Sequence, residues 1–326
     1  MQIALGMLAG VALFLYGISV MSDALKALAG ERARAALGRA TDGTWRSILI
    51  GAVATAALGS SSLSIIMTIA LVDAGLLSLP SAMAVILGAN IGTTLASQLF
   101  AFNAQQWGPL VLVVGLVASV AGRHERQQQW GRVLLGVGLL FYGLHELDAA
   151  ARPLGQLPTI ATWLRQLTDP PMGALVGAGV TVLVQASSAT VALAITFVRE
   201  GLLSLPAGIA VMLGAEIGTC SDTLIATLGR SRDAIRTGVF HLVFNVTTVL
   251  VALPLVGQFA TAVQALVPMA GPARDLANAH ILFNTAGVLL AAPFVPFAAA
   301  ALRRLIPDRP YVAPRVTAPS PSIATG

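Results

Sequence analysis

One cysteine, four histidines and a charged fraction of only 10% leave this 326-residue chain little with which to build thiol, metal or salt-link chemistry. The lone Cys220 excludes an intrachain disulfide, and the four histidines show no metal-ligand spacing such as two residues four apart on a helix. Scarcity of charge excludes more. A soluble domain carries roughly 25% charged residues, whereas this chain is 56% hydrophobic, more than a water-soluble core of its size can absorb. The net charge of +5 does not form a nucleic-acid face either. Its sources, Lys26/Arg32/Arg34/Arg39/Arg46, Arg123/Arg126/Arg132, Arg230/Arg232/Arg236 and Arg303/Arg304/Arg309/Arg315, fall between apolar stretches in the manner of cytoplasmic loops. Lipid, not nucleic acid, is the expected surroundings.

A membrane helix needs about 20 mainly apolar residues. Stretches around 3–23, 80–101, 107–122, 132–149, 206–228, 237–256 and 279–301 meet or approach that, giving about seven spans and an all-α polytopic membrane protein. The first stretch has no basic segment ahead of it and no small-residue cleavage pattern, so it is expected to stay as a helix and not to leave as a signal peptide. Residues 306–326, rich in Pro, Ala and Ser, predict a disordered cytoplasmic tail.

Shifted by 126 residues, the sequence matches itself. Gly75-Leu-Leu-Ser-Leu-Pro80 repeats as Gly201-Leu-Leu-Ser-Leu-Pro206, Leu87-Gly-Ala-Asn-Ile-Gly-Thr93 as Leu213-Gly-Ala-Glu-Ile-Gly-Thr219, and 21 of 44 positions between 51 and 94 are identical without a gap. The chain divides accordingly into a first repeat (1–125), a second (126–256), a loop with a final helix (257–305) and the tail. Segments near 46–58 and 62–74 are each too short to span and are separated by Ser60-Ser61-Ser62, which predicts a re-entrant hairpin in each repeat. Each repeat then crosses three times, and an odd number inverts the second copy. With the N-terminus outside and the C-terminus in the cytoplasm, 15 of 19 Lys/Arg residues are cytoplasmic and only Arg152, Arg165, Arg199 and Arg274 lie outside.

Non-helical backbone survives at membrane depth only where protein or a wet cavity satisfies it. The serine runs and the Gly88/Gly92 and Gly214/Gly218 pairs therefore predict two hairpin tips and two broken helices meeting near the midplane. None of these elements contains Lys or Arg, so an anion there is held by Ser60, Ser61, Ser62, Gln185, Ser187 and Ser188, with backbone N–H groups at helix N-termini. Asn90, Thr93, Thr94, Glu216 and Thr219, with helix-end carbonyls, offer the hard oxygen ligands of a Na⁺ site, and cation and anion would neutralise each other.

With these residues in view the chain resembles the bacterial type II sodium/phosphate cotransporters over about 1–305. The resemblance rests on Ala12-Leu-Phe-Leu-Tyr-Gly17, Met21-Ser22, Leu25-Lys-Ala-Leu-Ala-Gly-Glu31, the two serine motifs, the two Gly-x-Asn-Ile-Gly-Thr-like motifs, and His241-Leu-Val-Phe-Asn245 with His280-Ile-Leu-Phe-Asn284. It implies Na⁺-driven uptake of inorganic phosphate across the bacterial inner membrane, with the hairpin serines on phosphate, Na⁺ as coupling ion, no other cofactor and no enzymatic activity. A homo-oligomer is compatible with it. The resemblance stops short of the cytoplasmic helical domain that some bacterial members append. The chain departs from the family at three places. Gly59 replaces the leading Gln of the first motif, Ala186 the first Ser of the second, and Glu216 stands where Asn is expected. An acid within the membrane is a functional candidate, for a cation or a proton.

Plainer roles are expected elsewhere: packing for Thr55 and Thr181, interhelical contacts for Tyr16 and Tyr142, hydrogen-bonded structural roles for His241, His280, Asn245 and Asn284, and either function or an arginine partner for Asp222. Competing functions are transport of another oxyanion, H⁺ coupling, an intramembrane serine hydrolase using Ser60 or Ser61 with His241 or His280, and a non-transporting scaffold.

Overall fold

The computed structural model describes residues 2–40, 43–102, 104–157, 162, 164, 166–269 and 271–308. Among these the chain is helical, with no strand. Its helices are α1 (Gln2–Gly38), α2 (Thr44–Leu58), α3 (Ser61–Asp73), α4 (Leu79–Ala101), α5 (Gly108–Ala121), α6 (Glu125–Ala151), α7 (Pro170–Val184) and α8 (Ser187–Arg199). They continue as α9 (Leu205–Gly218), α10 (Cys220–Ile225), α11 (Arg232–Ala252), α12 (Val256–Leu266), α13 (Pro272–Ala291) and α14 (Val295–Leu305). Six runs are long and apolar enough to cross a membrane: Ile3–Gly38, Leu79–Ala101, Glu125–Leu154, Leu205–Ile225, Arg232–Leu266 and Pro272–Leu305. The seventh expected span is a shorter apolar helix, Gln105–Ala121.

The longest identity between the repeats has a mechanical cause. Gly75 and Gly201 both adopt φ +70°, a left-handed conformation natural to glycine. Each closes a Schellman turn, with Leu76 N–H donating to Leu71 O at 2.9 Å and Leu202 N–H to Phe197 O at 2.8 Å. Three residues on, Ser78 and Ser204 cap the next helix, accepting from the N–H groups of Ser81 and Ala207, and the prolines sit in the first turn, where no N–H is missed. Gly-Leu-Leu-Ser-Leu-Pro is thus a stop-and-restart signal between α3 and α4 and again between α8 and α9.

Glycines set the helix pairing. A Cβ on Gly88 would fall on the carbonyl of Ile48, and one on Gly92 would lie 2.5 Å from the carbonyl of Ala52, so α2 and α4 run parallel in close contact. Since α2 and α4 point the same way, α3 between them runs back, and α2–α3 is an antiparallel helical hairpin. Gly214 against Ala174 and Gly218 against Ala178 repeat the arrangement for α7, α8 and α9. Helices α1 and α6 pack antiparallel: Gly10 lies against Gly143 and Leu147, and Gly17 against Gly136 and Leu140. Gly10 and Gly136, like Gly17 and Gly143, are 126 apart, so the two contacts exchange under the repeat.

Two expectations need correction. The Gly88/Gly92 pair does not break a helix: α4 is continuous through Asn90, because small residues spaced four apart let backbones approach and do not by themselves unwind them. In the second copy the helix stops at Gly218, and Thr219 joins it to α10 with near-helical angles, φ −65° and ψ −14°. Lys26, Arg32 and Arg34 are not in a loop, since α1 continues to Gly38. The division at 256/257 falls inside the run Arg232–Leu266, interrupted only by the 3-10 turn Leu253–Leu255 at Pro254. Arg165, Arg309, Arg315 and residues 309–326 of the expected tail lie outside the described residues.

Candidate functional site

The two hairpin tips share one backbone design. Gly59 (φ +66°) and Gln185 (φ +56°) end α2 and α7 in the left-handed conformation, and the next residue turns to extended backbone before the following helix begins. At the first tip Ser60 caps α3, its Oγ accepting from Leu63 N–H at 3.2 Å. Its counterpart Ala186 has no side chain to do so, and the N-terminus of α8 carries no side-chain cap. Gly59 is therefore the unstrained residue for its position. Gln185 holds a conformation that costs a non-glycine residue about 1 kcal/mol.

Both tips open on the same cavity of about 610 Å³. Ser60, Ser61, Ser62, Gln185, Ser187 and Ser188 all line it, as do Gly92 and Thr93 from α4 and Ser22, Asp23 and Lys26 from α1. The N-terminal turns of α3 and α8 thus face one space, where unfilled N–H groups and the helix dipoles favour negative charge. Ser61, Ser187 and Ser188 make no side-chain hydrogen bond among the described residues, which leaves their hydroxyls free to donate. Asp222 accepts from the N–H of Thr223 at 2.7 Å and pairs with no arginine among the described residues, so the arginine partner is not found. Thr55 also lines the cavity, and its Oγ1 is fully buried without a partner. Its counterpart Thr181 donates to Thr190 at 2.7 Å and fits the packing role expected of both. A buried hydroxyl left unpaired costs about 1–3 kcal/mol, a cost that the counterpart avoids.

Of the residues expected to hold a cation, Thr93 alone lines this cavity. Asn90 and Glu216 belong instead to a buried network with α11 and α13. Glu216 Oε1 is 2.6 Å from His280 Nε2, the two side chains being 4% and 2% exposed, and accepts from Asn284 Nδ2 at 3.4 Å. His280 Nδ1 lies 2.6 Å from Ser97 Oγ. Asn90 donates to Asn245 Oδ1 at 3.0 Å, and Thr223 Oγ1 is 2.9 Å from His241 Nδ1. The residues follow two registers at once: Asn90/Glu216 and Ser97/Thr223 are 126 apart, while His241/His280 and Asn245/Asn284 are 39 apart. Each member of the first set meets a member of the second, so Asn90–Asn245 mirrors Glu216–Asn284 and Ser97–His280 mirrors Thr223–His241. Thr94 is bound to its own helix, donating to Ile91 O at 2.7 Å, and Thr219 is buried between α9 and α10.

This arrangement bears on a hydrolase reading. Ser97, His280 and Glu216 form a Ser–His–acid line, but Ser97 is 1% exposed and does not line the cavity at the tips. The accessible serines at the tips have neither histidine as a hydrogen-bond partner among the described residues. A nucleophile needs both access and a base, and here the two are separated. No group of three or more His, Cys, Asp or Glu suited to a metal occurs among the described residues.

Two signals were missed in the sequence. Lys26 and Asp23 reach the cavity because α1 extends a full four turns beyond its apolar stretch. The Glu216–His280 contact joins residues 64 apart and has no local signature.

Comparison with known proteins points the same way. The profile of the Na⁺/Pi-cotransporter family matches residues 13–149 and 156–288. The chain is similar to the uncharacterized protein YqeW of Bacillus subtilis, 30% identical over 279 residues that cover 85% of this chain and 90% of YqeW. It is 26% identical over 253 residues to the putative inorganic phosphate export protein YjbB of Escherichia coli K12, covering 77% of this chain but spanning only 47% of that protein. A 95-residue stretch, 27% of the chain and 15% of the relative, is 37% identical to sodium-dependent phosphate transport protein 2A of Rattus norvegicus. No solved structure matches the chain.

Proposed function

Because the chain belongs to the Na⁺/Pi-cotransporter family, we propose that it carries inorganic phosphate across the bacterial inner membrane, with Na⁺ as co-substrate, by alternating access. The observation that carries this reading is the single cavity lined by both serine tips, each tip at the N-terminus of a helix and each from an equivalent place in the two repeats. Phosphate offers several acceptor oxygens, and Ser61, Ser62, Ser187, Ser188, the Gln185 amide and helix N–H groups are all donors. Ser60 takes part through its O–H, its oxygen already serving as the α3 cap.

The reading includes an inverted repeat with re-entrant hairpins, N-terminus outside. It is supported by the antiparallel α1–α6 contact that exchanges under the 126-residue shift and by the α2–α3 and α7–α8 hairpins, whose helices of 13 to 15 residues are roughly 20 Å long against a hydrocarbon core of about 30 Å. For Na⁺ the candidate oxygens are Thr93 at the cavity and Asn90, Thr94, Glu216 and Thr219, which do not line it. Glu216 would have to exchange its contact with His280 for the ion.

Uptake of radiolabelled phosphate into liposomes containing the purified protein tests this. An inward Na⁺ gradient is expected to drive accumulation; equal uptake with choline replacing Na⁺ would remove the coupling, and no uptake would remove the function. A second reading is favoured by the printed name of YjbB, a putative export protein. Loading the liposomes with phosphate and reversing the Na⁺ gradient measures efflux directly.

A further inference from the structure

The two tips are not chemically equal. Where the second has the Gln185 side chain, the first has Gly59, and the space beside Gly59 is already taken. A Cβ there would lie 3.3 Å from Leu25 Cδ1, 3.6 Å from Ser22 Oγ and 3.9 Å from Met21 Cε. One turn of α1 therefore packs directly beside the first tip. Ser22, Asp23 and Lys26 of that turn line the cavity, spaced three and four apart on one face of the helix. Lys26 is the single cation among the lining residues and Asp23 the single carboxylate.

The second repeat disposes of the same positions differently. Arg152, 126 residues after Lys26, is tied to Glu200 at 3.0 Å, and Asp148, 126 after Ser22, is tied to Arg199 at 3.0 Å. Neither lines the cavity. Lys26 has no ion-pair partner among the described residues. Thus the counterparts are locked in salt bridges away from the site, while the first-repeat set faces it unpaired.

We propose that Ser22 and Lys26 of α1 complete the oxyanion site at the first tip, Ser22 donating its hydroxyl and Lys26 supplying positive charge where Gly59 supplies no side chain. The proposal rests on the phosphate reading of this cavity. It identifies Lys26 as a residue that sets affinity for a multiply charged oxyanion, with Asp23 opposing it from the same helix face. A lysine at a partly open site acts as a point charge, so an arginine can stand in for it, and its influence falls with ionic strength.

The test is the concentration dependence of radiolabelled inorganic phosphate uptake for wild type, Lys26→Gln, Lys26→Arg, Asp23→Asn and Ser22→Ala. Lys26→Gln is expected to raise KM roughly tenfold with maximal rate within about twofold, as losing one charge contact at intermediate dielectric implies. Lys26→Arg is expected to restore KM to within about threefold, Ser22→Ala to raise it several-fold, and Asp23→Asn to lower it, with the Lys26→Gln effect shrinking as choline chloride is added. Unchanged KM in Lys26→Gln and Asp23→Asn, or shifts of both in the same direction, would overturn the inference while leaving wild-type phosphate transport intact. Should Lys26→Gln fail to fold, Ser22→Ala and Asp23→Asn decide: a raised KM in the first with a lowered KM in the second is expected, and no change in either overturns the inference. A wild type that takes up no phosphate overturns the underlying reading as well.

Discussion

Ser61 and Ser187 face a cavity with their hydroxyls uncommitted, whereas Ser97 with His280, Thr223 with His241, Asn90 with Asn245 and Glu216 with His280 are hydrogen-bonded in pairs. The residue types are much the same in the two regions. What separates them is spare hydrogen-bonding capacity. Inside a membrane protein a polar group without a partner is expensive, so satisfied groups hold helices together and unsatisfied groups that line a cavity are left for a ligand. Thr55 and Thr181 show that register alone does not fix a partner: the same residue in the same register is bonded in one copy and left without a partner in the other.

Function and stability should therefore come apart between the two regions. The largest effect is expected from Ser61→Ala combined with Ser187→Ala. Each removes a hydrogen bond to a charged oxyanion, about 1.5–3 kcal/mol apiece, so phosphate transport should fall roughly a hundredfold or more while the thermal melting point in detergent stays near that of wild type. Next in size is Glu216→Ala in the buried network. Truncating one member of a buried hydrogen-bonded pair strands the other, and a loss of about 3 kcal/mol in stability is expected, seen as a lowered unfolding midpoint, with Glu216→Gln losing less. Glu216→Gln should also impair ion coupling more than Asn90→Ala does, measured as the Na⁺ dependence of uptake; equal effects would place the two network halves on the same footing. Gly88→Ala probes the helix contact that the site is mounted on. Its Cβ meets the Ile48 backbone, which cannot swing away as a side chain can, so a cost of about 1–3 kcal/mol is expected, read from the same melting curves. The smallest effect is the most discriminating. Gln185→Gly relieves a left-handed backbone and should stabilise by about 1 kcal/mol while weakening phosphate uptake, a combination that a purely structural glutamine would not produce.

Much of the architecture was legible because it is written in local rules. The repeated Gly-Leu-Leu-Ser-Leu-Pro encodes a helix stop, a cap and a restart within six residues, and the serine tips are flanked by helices too short to span. Two misreadings have separate origins. Glycines four apart were expected to interrupt α4, yet their effect lies on a partner helix, Ile48 and Ala52 of α2, and a single sequence does not say which partner a small residue serves. Lys26 was assigned to a loop because charge ends an apolar stretch, although a helix can continue past the end of its lipid-facing part and carry a lysine into a cavity. The pairing of Glu216 with His280 was illegible for a different reason: both residues were visible as candidates, but only the packing of α9 against α13 brings them within 2.6 Å.

The central claim is that the two serine tips together hold phosphate in one cavity. The most direct test is radiolabelled phosphate flux in liposomes for wild type beside the Ser61→Ala/Ser187→Ala variant, with both proteins shown to melt at the same temperature. Flux in the wild type and near-background flux in the variant is the predicted result. Equal flux in two equally folded proteins would contradict it.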